Sequence, residues 1–413
     1  DLWNEDFFMN KTLRVTPDIN TQGSLIGELV GCLVLAYIII YFSAWKGLKS
    51  TGKMVYITCL LPYFILTIFL IKGLTLEGCG TGLKFLFIPD WEIVGKTETW
   101  LASAIQILYS SGVAFGPLMY YGSARKKTDQ IVGASFWIPL ANSATSIYAA
   151  LTIFAFLGHV SVTKDIPIDK VATSGPTLLF VAFPSLLAML PGAHFFSIIF
   201  FIMCVCLGVD SVFGFFDYYI QMAEDAFPML KTKMRKEVQV LCITIFSFIW
   251  SLMFVVEGGL HNFDLFDANA GHIQLLVCLF LQTLFIPWIV GMDKMSTLIY
   301  LRTGQYVPIF YILVIRIFVP IFSFIILIIA IVNEFADTDG RAAKGWNQGH
   351  IWGARLIWLI PLVAMVIMIF IPLKGVESFE SLVENQYGIK FKENKTFLQK
   401  LYMNQAEFDV VNE

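Results

Sequence analysis

The chain has 413 residues, of which 57% are apolar and only 14% charged, and its formal net charge is −3. Soluble domains average roughly 25% charged residues, so this composition excludes an ordinary water-soluble protein, and the charge balance offers nothing to nucleic acid. Phe alone occurs 38 times; lipid is the solvent that suits such a chain, and an all-α polytopic membrane protein is expected.

Apolar stretches fall at 24–43, 54–72, 99–121, 131–158, 195–222, 237–255, 272–292, 308–333 and 351–372. Each is close to the roughly 20 residues that a helix rising ~1.5 Å per residue needs to cross hydrocarbon. About nine transmembrane helices are therefore expected. They make a membrane domain over 1–375, followed by a polar cytoplasmic tail over 376–413. Lys46, Lys49 and Lys53 crowd the first connection, Arg125, Lys126 and Lys127 the third, Lys231, Lys233, Arg235 and Lys236 the fifth, and Lys294 and Arg302 the seventh. The alternate connections are poorer in basic residues, so the basic ones are placed in the cytoplasm. The N-terminus is then outside and the C-terminus inside. The sequon Asn10-Lys11-Thr12 falls on the outer side, where Asn10 is a glycosylation candidate, and Asn394-Lys395-Thr396 falls in the inner tail. Residue 1 is Asp, from which a processed chain or a piece of a longer one is expected.

Six cysteines, Cys32, Cys59, Cys204, Cys206, Cys242 and Cys278, lie in apolar runs and read as small buried side chains. No CxxC pair or His/Cys cluster is present, so neither a zinc site nor a cofactor is expected. The five histidines fall at outer ends or loops with no catalytic spacing, which speaks against a membrane-embedded metalloenzyme, and no enzyme activity is expected.

Polar residues at membrane depth are costly and mark function by default. The third segment reads Gln106-Ile107-Leu108-Tyr109-Ser110-Ser111-Gly112-Val113-Ala114-Phe115-Gly116-Pro117. Two serines, two glycines and a proline make poor helix. They fit either a helix broken near 109–112, exposing backbone groups at the midplane, or a kinked face of small residues that packs against a neighbour. In the fourth segment Asn142 and Ser146 share one helical face. The Asn oxygen can ligate a cation and the Ser hydroxyl can donate to an anion; hydrogen bonding between helices explains them equally. In the fifth segment Asp210 sits within Leu207-Gly208-Val209-Asp210-Ser211. A carboxylate, a hydroxyl and a carbonyl are hard ligands for a small cation; the other reading is an Asp hydrogen-bonded to a neighbouring helix. Asp267 and Asp225 stand at an outer and an inner edge, and Arg316 lies in an apolar run from which it can snorkel toward the inner surface.

In combination these stretches resemble the sodium- and chloride-dependent neurotransmitter and amino-acid symporters. Tyr41 through Lys53, Gly73 through Leu76, Trp100 through Gly116, Asn142 through Ser146, Phe200 through Ser211 and Gly258 through Asp267 carry the likeness, which covers about residues 1–375. The resemblance implies a partial inverted-repeat symporter fold: the family has twelve helices, and this chain is similar to the last nine. It implies a first sodium site at Ser110 and Asn142 and a second at Leu207, Asp210 and Ser211. It places chloride at Gln106, Ser110 and Ser146. Substrate would meet Tyr109, Ser111, Gly112, Phe115 and Gly214, and Asp267 and Asp225 match outer and inner gate carboxylates. Residues 165–192 resemble an outer lid loop. The chain departs from the family at Ser185 and Gln282, where Glu is usual, and at Phe215, where a small residue often stands. The missing first helices would supply the remaining ion ligands.

The function expected is secondary active transport of a small amino acid or amine, driven by sodium and chloride, in a multi-pass protein of the plasma membrane. The alternatives are a truncated non-transporting paralogue or an incomplete fragment lacking the first three helices, and an ion channel. Substrate and lipid are the expected partners, and no nucleic acid is.

Overall fold

The structure is a computed structural model that describes residues 2–126, 129–171, 175–270, 273–336 and 348–370. Among them the regular structure is helical, apart from one isolated antiparallel bridge between Leu25 and Val256. The principal helices are α1 (Gly27–Ala44), α2 (Leu48–Leu74), α3 (Thr97–Ser111), α4 (Pro117–Ala124), α5 (Val132–Lys164), α6 (Ala193–Ala226), α7 (Lys236–Ser251), α8 (Gly259–Ala270), α9 (Ile273–Leu284), α10 (Met292–Thr303), α11 (Val319–Ala336) and α12 (Gln348–Phe370).

Among the described residues, seven helical stretches are long and apolar enough to cross a membrane: Gly27–Ala44, Ser50–Leu74, Val132–Lys164, Ala193–Ala226, Lys236–Phe254, Ile273–Gly291 and Ile309–Phe335. They coincide with seven of the nine expected spans, and the protein is a multi-pass membrane protein. The full count of nine is not reached among the described residues on length and composition. The expected span over 99–121 is divided into α3 and α4, each too short to cross by itself, and the last expected span holds the 23-residue α12. The polar tail over 376–413, the second sequon and Ser174 of the lid loop lie outside the described residues.

The described residues form two compact units. The first gathers those of Asp1–Ser123 and Ala141–Asp267. Its centre is a seam between α2 and α6, which run antiparallel with partners stepping by seven residues. Thr51 pairs with Asp217, Thr58 with Asp210, and Ile65 and Met203, one step further, are both buried in one apolar cluster. A seven-residue step keeps side chains on one face over two helical turns. Beyond Ile65 the seam becomes aromatic. Phe69 sits 5.9 Å from Phe156 and 6.1 Å from Phe200, and Phe183 stacks on Phe200 at 5.1 Å. Phe183, Leu186 and Leu187, from the segment expected as a lid, are buried in the same cluster. Small residues allow a second close approach: Gly82, in the short helix Cys79–Phe87, packs against the backbone of Phe154 and Gly158 of α5.

The second unit gathers Ala124–Leu140 and the described residues of Ala268–Ala342, with α12. Here α9 packs on α11, and Thr283 and Ser323 share a hydrogen bond of 3.2 Å. The helix widens to five-residue hydrogen-bonded turns at Phe285–Gly291 and again at Val314–Phe318. The carbonyl of Arg316, inside the second widened turn, accepts a hydrogen bond from Trp288 Nε1 at 3.0 Å. The first turn of α5 belongs to this unit, and the Gln305 side-chain oxygen caps it by accepting from the Ile131 and Val132 amides.

One sequence expectation is overturned. None of the six apolar-run cysteines is buried: Cys32, Cys59 and Cys242 are exposed, and Cys204, Cys206 and Cys278 are partly so. The surface of a membrane helix is as apolar as its core, so apolar neighbours in sequence do not tell the two apart.

Candidate functional site

The candidate site lies in the first unit, where α3, α5 and α6 present the polar residues singled out above. The interruption of the third segment is real, and it falls at 112–116, a few residues beyond the expected 109–112. Gly112 closes α3 with φ 68°, its amide donating to the Leu108 carbonyl, and Ala114 and Gly116 follow at φ 68° and 105°. Pro117 then opens α4, at a position where its missing N–H costs nothing. Glycine tolerates these angles, whereas Ala114 holds one at a cost in strain. Gly116 has a further constraint, since a Cβ there would run into the Tyr218 ring.

On α3, Gln106 and Ser110 are four residues apart and both exposed; on α5, Asn142 and Ser146 repeat that spacing. The two pairs meet where Ser110 Oγ donates to Asn142 Oδ1 at 3.0 Å. Ser146 Oγ donates to the Asn142 carbonyl at 3.1 Å. Both Asn142 oxygens therefore lie beside serine hydroxyls. Ser111 Oγ turns back to the Leu108 carbonyl at 3.2 Å.

The aromatic residues beside the break gather as well. Tyr109 and Phe115 meet edge to face at 5.3 Å, and Phe115 meets Phe215 of α6 at 6.0 Å. Phe215 thus fills space next to the break. Gly214 is buried against Pro117 and Tyr121 of α4, close enough that an added Cβ would press on the Tyr121 hydroxyl at 3.2 Å.

On α6, Leu207, Asp210 and Ser211 occupy one face. Ser211 Oγ donates to the Leu207 carbonyl at 3.2 Å, and Asp210 Oδ1 accepts from Thr58 Oγ1 of α2 at 2.8 Å. The reading of Asp210 as hydrogen-bonded to a neighbouring helix therefore holds in this structure. Its second oxygen, on a half-buried side chain, keeps lone pairs for a cation. Pro62, four residues past Thr58, also withholds the amide that the Thr58 carbonyl would accept in a regular helix.

Among the described residues, the gate candidates are not brought to partners of opposite charge. Asp225 is exposed and accepts from Gln221 on its own helix at 2.9 Å, and Asp267 is exposed near the end of α8. Ser185 accepts a hydrogen bond from Asn4 at 2.6 Å. Asn10 is exposed, and its side-chain amide donates to Asp6 at 2.6 Å.

Sequence reasoning passed over Asp217 and Glu224. Asp217 is 2% exposed, with Oδ2 accepting from Thr51 at 3.0 Å, and Glu224 pairs with Lys236 at 3.0 Å. The signal was available: Asp210, Asp217 and Glu224 recur every seven residues, and Thr51 and Thr58 keep the same interval.

The family model for the sodium:neurotransmitter symporter family matches residues 3–379. The sodium- and chloride-dependent GABA transporter 2 of Mus musculus is 37% identical over 292 residues, covering 70% of this chain and 48% of that protein. The creatine transporter of Torpedo marmorata is 33% identical over 290 residues, with the same shares of 70% and 48%. The sodium- and chloride-dependent GABA transporter ine of Drosophila melanogaster is 28% identical over 391 residues, 92% of this chain and 41% of that protein. The chain thus spans about half the length of the relatives it matches.

Proposed function

The chain belongs to the sodium:neurotransmitter symporter family, and from that premise we propose that it serves secondary active transport, with sodium and chloride gradients driving uptake of a small amine or amino acid. The names of the relatives point to substrates of the size and charge of GABA and creatine. In this reading Asp210, Ser211 and the Leu207 carbonyl bind one sodium ion, and Asn142 and Ser110 bind the other. Gln106, Ser110 and Ser146 hold chloride, since all three can donate to an anion. Tyr109, Ser111, Gly112, Phe115 and Gly214 border the substrate, Asp267 and Asp225 act as gates, the basic connections face the cytoplasm, and the membrane is the plasma membrane.

The observation that carries the reading is the interrupted α3–α4 segment, joined through Ser110 to Asn142. An interrupted helix exposes backbone dipoles that a continuous one would spend internally, and it bends where transport needs motion. Thr58 supports the second cation site by orienting Asp210 with one oxygen still available. A bound cation would offset the cost of holding that carboxylate in lipid.

Gln106, Ser110, Ser146, Leu207 and Ser211 are exposed. Small hard cations take about six oxygen ligands, so the set present here is one side of a site. The same exposure supports a second reading, a non-transporting membrane partner. Uptake of labelled GABA or creatine in cells expressing the protein, with and without sodium, separates the two. Asp210→Asn is expected to abolish sodium-dependent uptake while surface expression persists; unchanged uptake would overturn the second sodium site. Ser146→Glu is expected to relieve the need for chloride by supplying a fixed negative charge, and a variant that still requires chloride contradicts that assignment.

A further inference from the structure

Arg316 is the only Lys or Arg in the apolar stretch Ile309–Phe335. It stands seven residues inside, about 10 Å along a helix. A cation at that depth needs a partner or an exit. The acid of the same stretch, Glu334, is at the other end and pairs with Arg355 at 3.9 Å. No carboxylate among the described residues lies within ion-pair distance of Arg316. What Arg316 has is an aromatic face: its guanidinium sits 5.3 Å from the centre of the Trp288 ring, and the Trp288 N–H is already donated to the Arg316 carbonyl.

The surroundings decide what can complete this pair. Arg316 and Trp288 are exposed, and the residues flanking them, Phe285, Ile289, Leu313 and Ile317, are exposed and apolar. This surface faces acyl chains rather than water. Helical side chains lean toward the helix N-terminus, here toward Pro308. The guanidinium therefore rises to the headgroup layer beside the Met292–Pro308 connection, which carries Lys294 and Arg302. A guanidinium stacked on a ring keeps its N–H edge free, and that edge matches a phosphate in two-point geometry. Both members of the pair lie in widened turns, at Phe285–Gly291 and Val314–Phe318, which set them opposite each other.

We propose that Arg316, held flat on Trp288, is a binding site for the phosphate of an anionic phospholipid headgroup, with the flanking apolar residues against its acyl chains. The position is distinct from the ion and substrate residues, and it does not depend on what the protein transports.

The full chain is reconstituted in phosphatidylcholine vesicles containing brominated phosphatidylserine or, in parallel, brominated phosphatidylcholine, and tryptophan quenching is read. The difference between the unmodified chain and Trp288→Phe isolates that one ring. Its quenching is expected to favour phosphatidylserine. Arg316→Gln is expected to lower that preference about fivefold, the effect of one basic group at a charged membrane surface, and Arg316→Lys to restore only part of it, since an ammonium keeps the charge but not the two-point contact. Added salt is expected to weaken the same difference signal, a result that needs no change at Arg316. Equal quenching by the two lipids, a preference that survives Arg316→Gln, or one indifferent to salt would each overturn the proposal. Inorganic phosphate is the control for a free anion: if it displaces brominated phosphatidylserine, the site is for the soluble ion and the lipid assignment falls.

Discussion

At one end of the α2–α6 seam, Phe69 and Phe200 meet Phe156 and Phe183 in a closed aromatic cluster; at the other, Thr51 and Thr58 meet Asp217 and Asp210. The same two helices, in the same register, join by dispersion at one end and by hydrogen bonds at the other. The aromatic end tolerates only shape, because each ring fills space its neighbours leave. The polar end tolerates only chemistry, because a carboxylate in a membrane interior must keep a donor. Asp210, the carboxylate proposed to bind one sodium ion, is at the polar end. A ligand can replace a hydrogen bond or add to it, whereas it cannot enter a filled aromatic core.

The comparison can be broken most sharply at Phe156, which is fully buried. Phe156→Ala is expected to cost about 3 kcal/mol or more of stability, read as an earlier unfolding transition in detergent micelles. A loss below about 1 kcal/mol would mean that lipid or neighbouring rings refill the space, and that the aromatic end is not shape-limited. Thr51→Val keeps volume and removes the donor to Asp217, for an expected loss of about 2 kcal/mol; Thr51→Ser should restore most of it. If valine is tolerated at no cost, the hydrogen bond is not what holds that end. The smallest stability effect is expected for Asp210→Asn, under about 1 kcal/mol, because the amide oxygen still accepts from Thr58. That variant sharpens the contrast, since its effect on transport is expected to be complete. A large stability loss would move Asp210 from the ion site to the scaffold.

The spans were legible because hydrocarbon imposes one length on every crossing helix, and the break in the third was legible because Gly112, Gly116 and Pro117 are costly in a helix. Its position was displaced because Ser110 and Ser111 continue a helix when their hydroxyls find a partner, Asn142 Oδ1 for one and the Leu108 carbonyl for the other. The polar residues were individually legible as expensive. Their partners were not, since Thr58 and Asp210 are 152 residues apart and Thr51 and Asp217 are 166 apart. The cysteines failed for a different reason: in lipid the hydropathy of a segment says that it is in the membrane and nothing about which face is outward.

The seven-residue spacing of the two Thr–Asp pairs also limits how α2 and α6 can move. Sliding one helix along the other by a single turn would part both threonines from their acids and bring neither to a new one. Only a slip of two turns, about 10 Å, would set Thr58 opposite Asp217, and it would drive Asp210 toward Ile65 and the rings beyond. Translation is thus closed to this pair by a toothed fit, whereas a hinge-like tilt about the aromatic end would loosen the Thr–Asp contacts in turn. If the two helices move during function, they rock rather than slide, with the phenylalanines as the pivot and Asp210 nearer to it than Asp217.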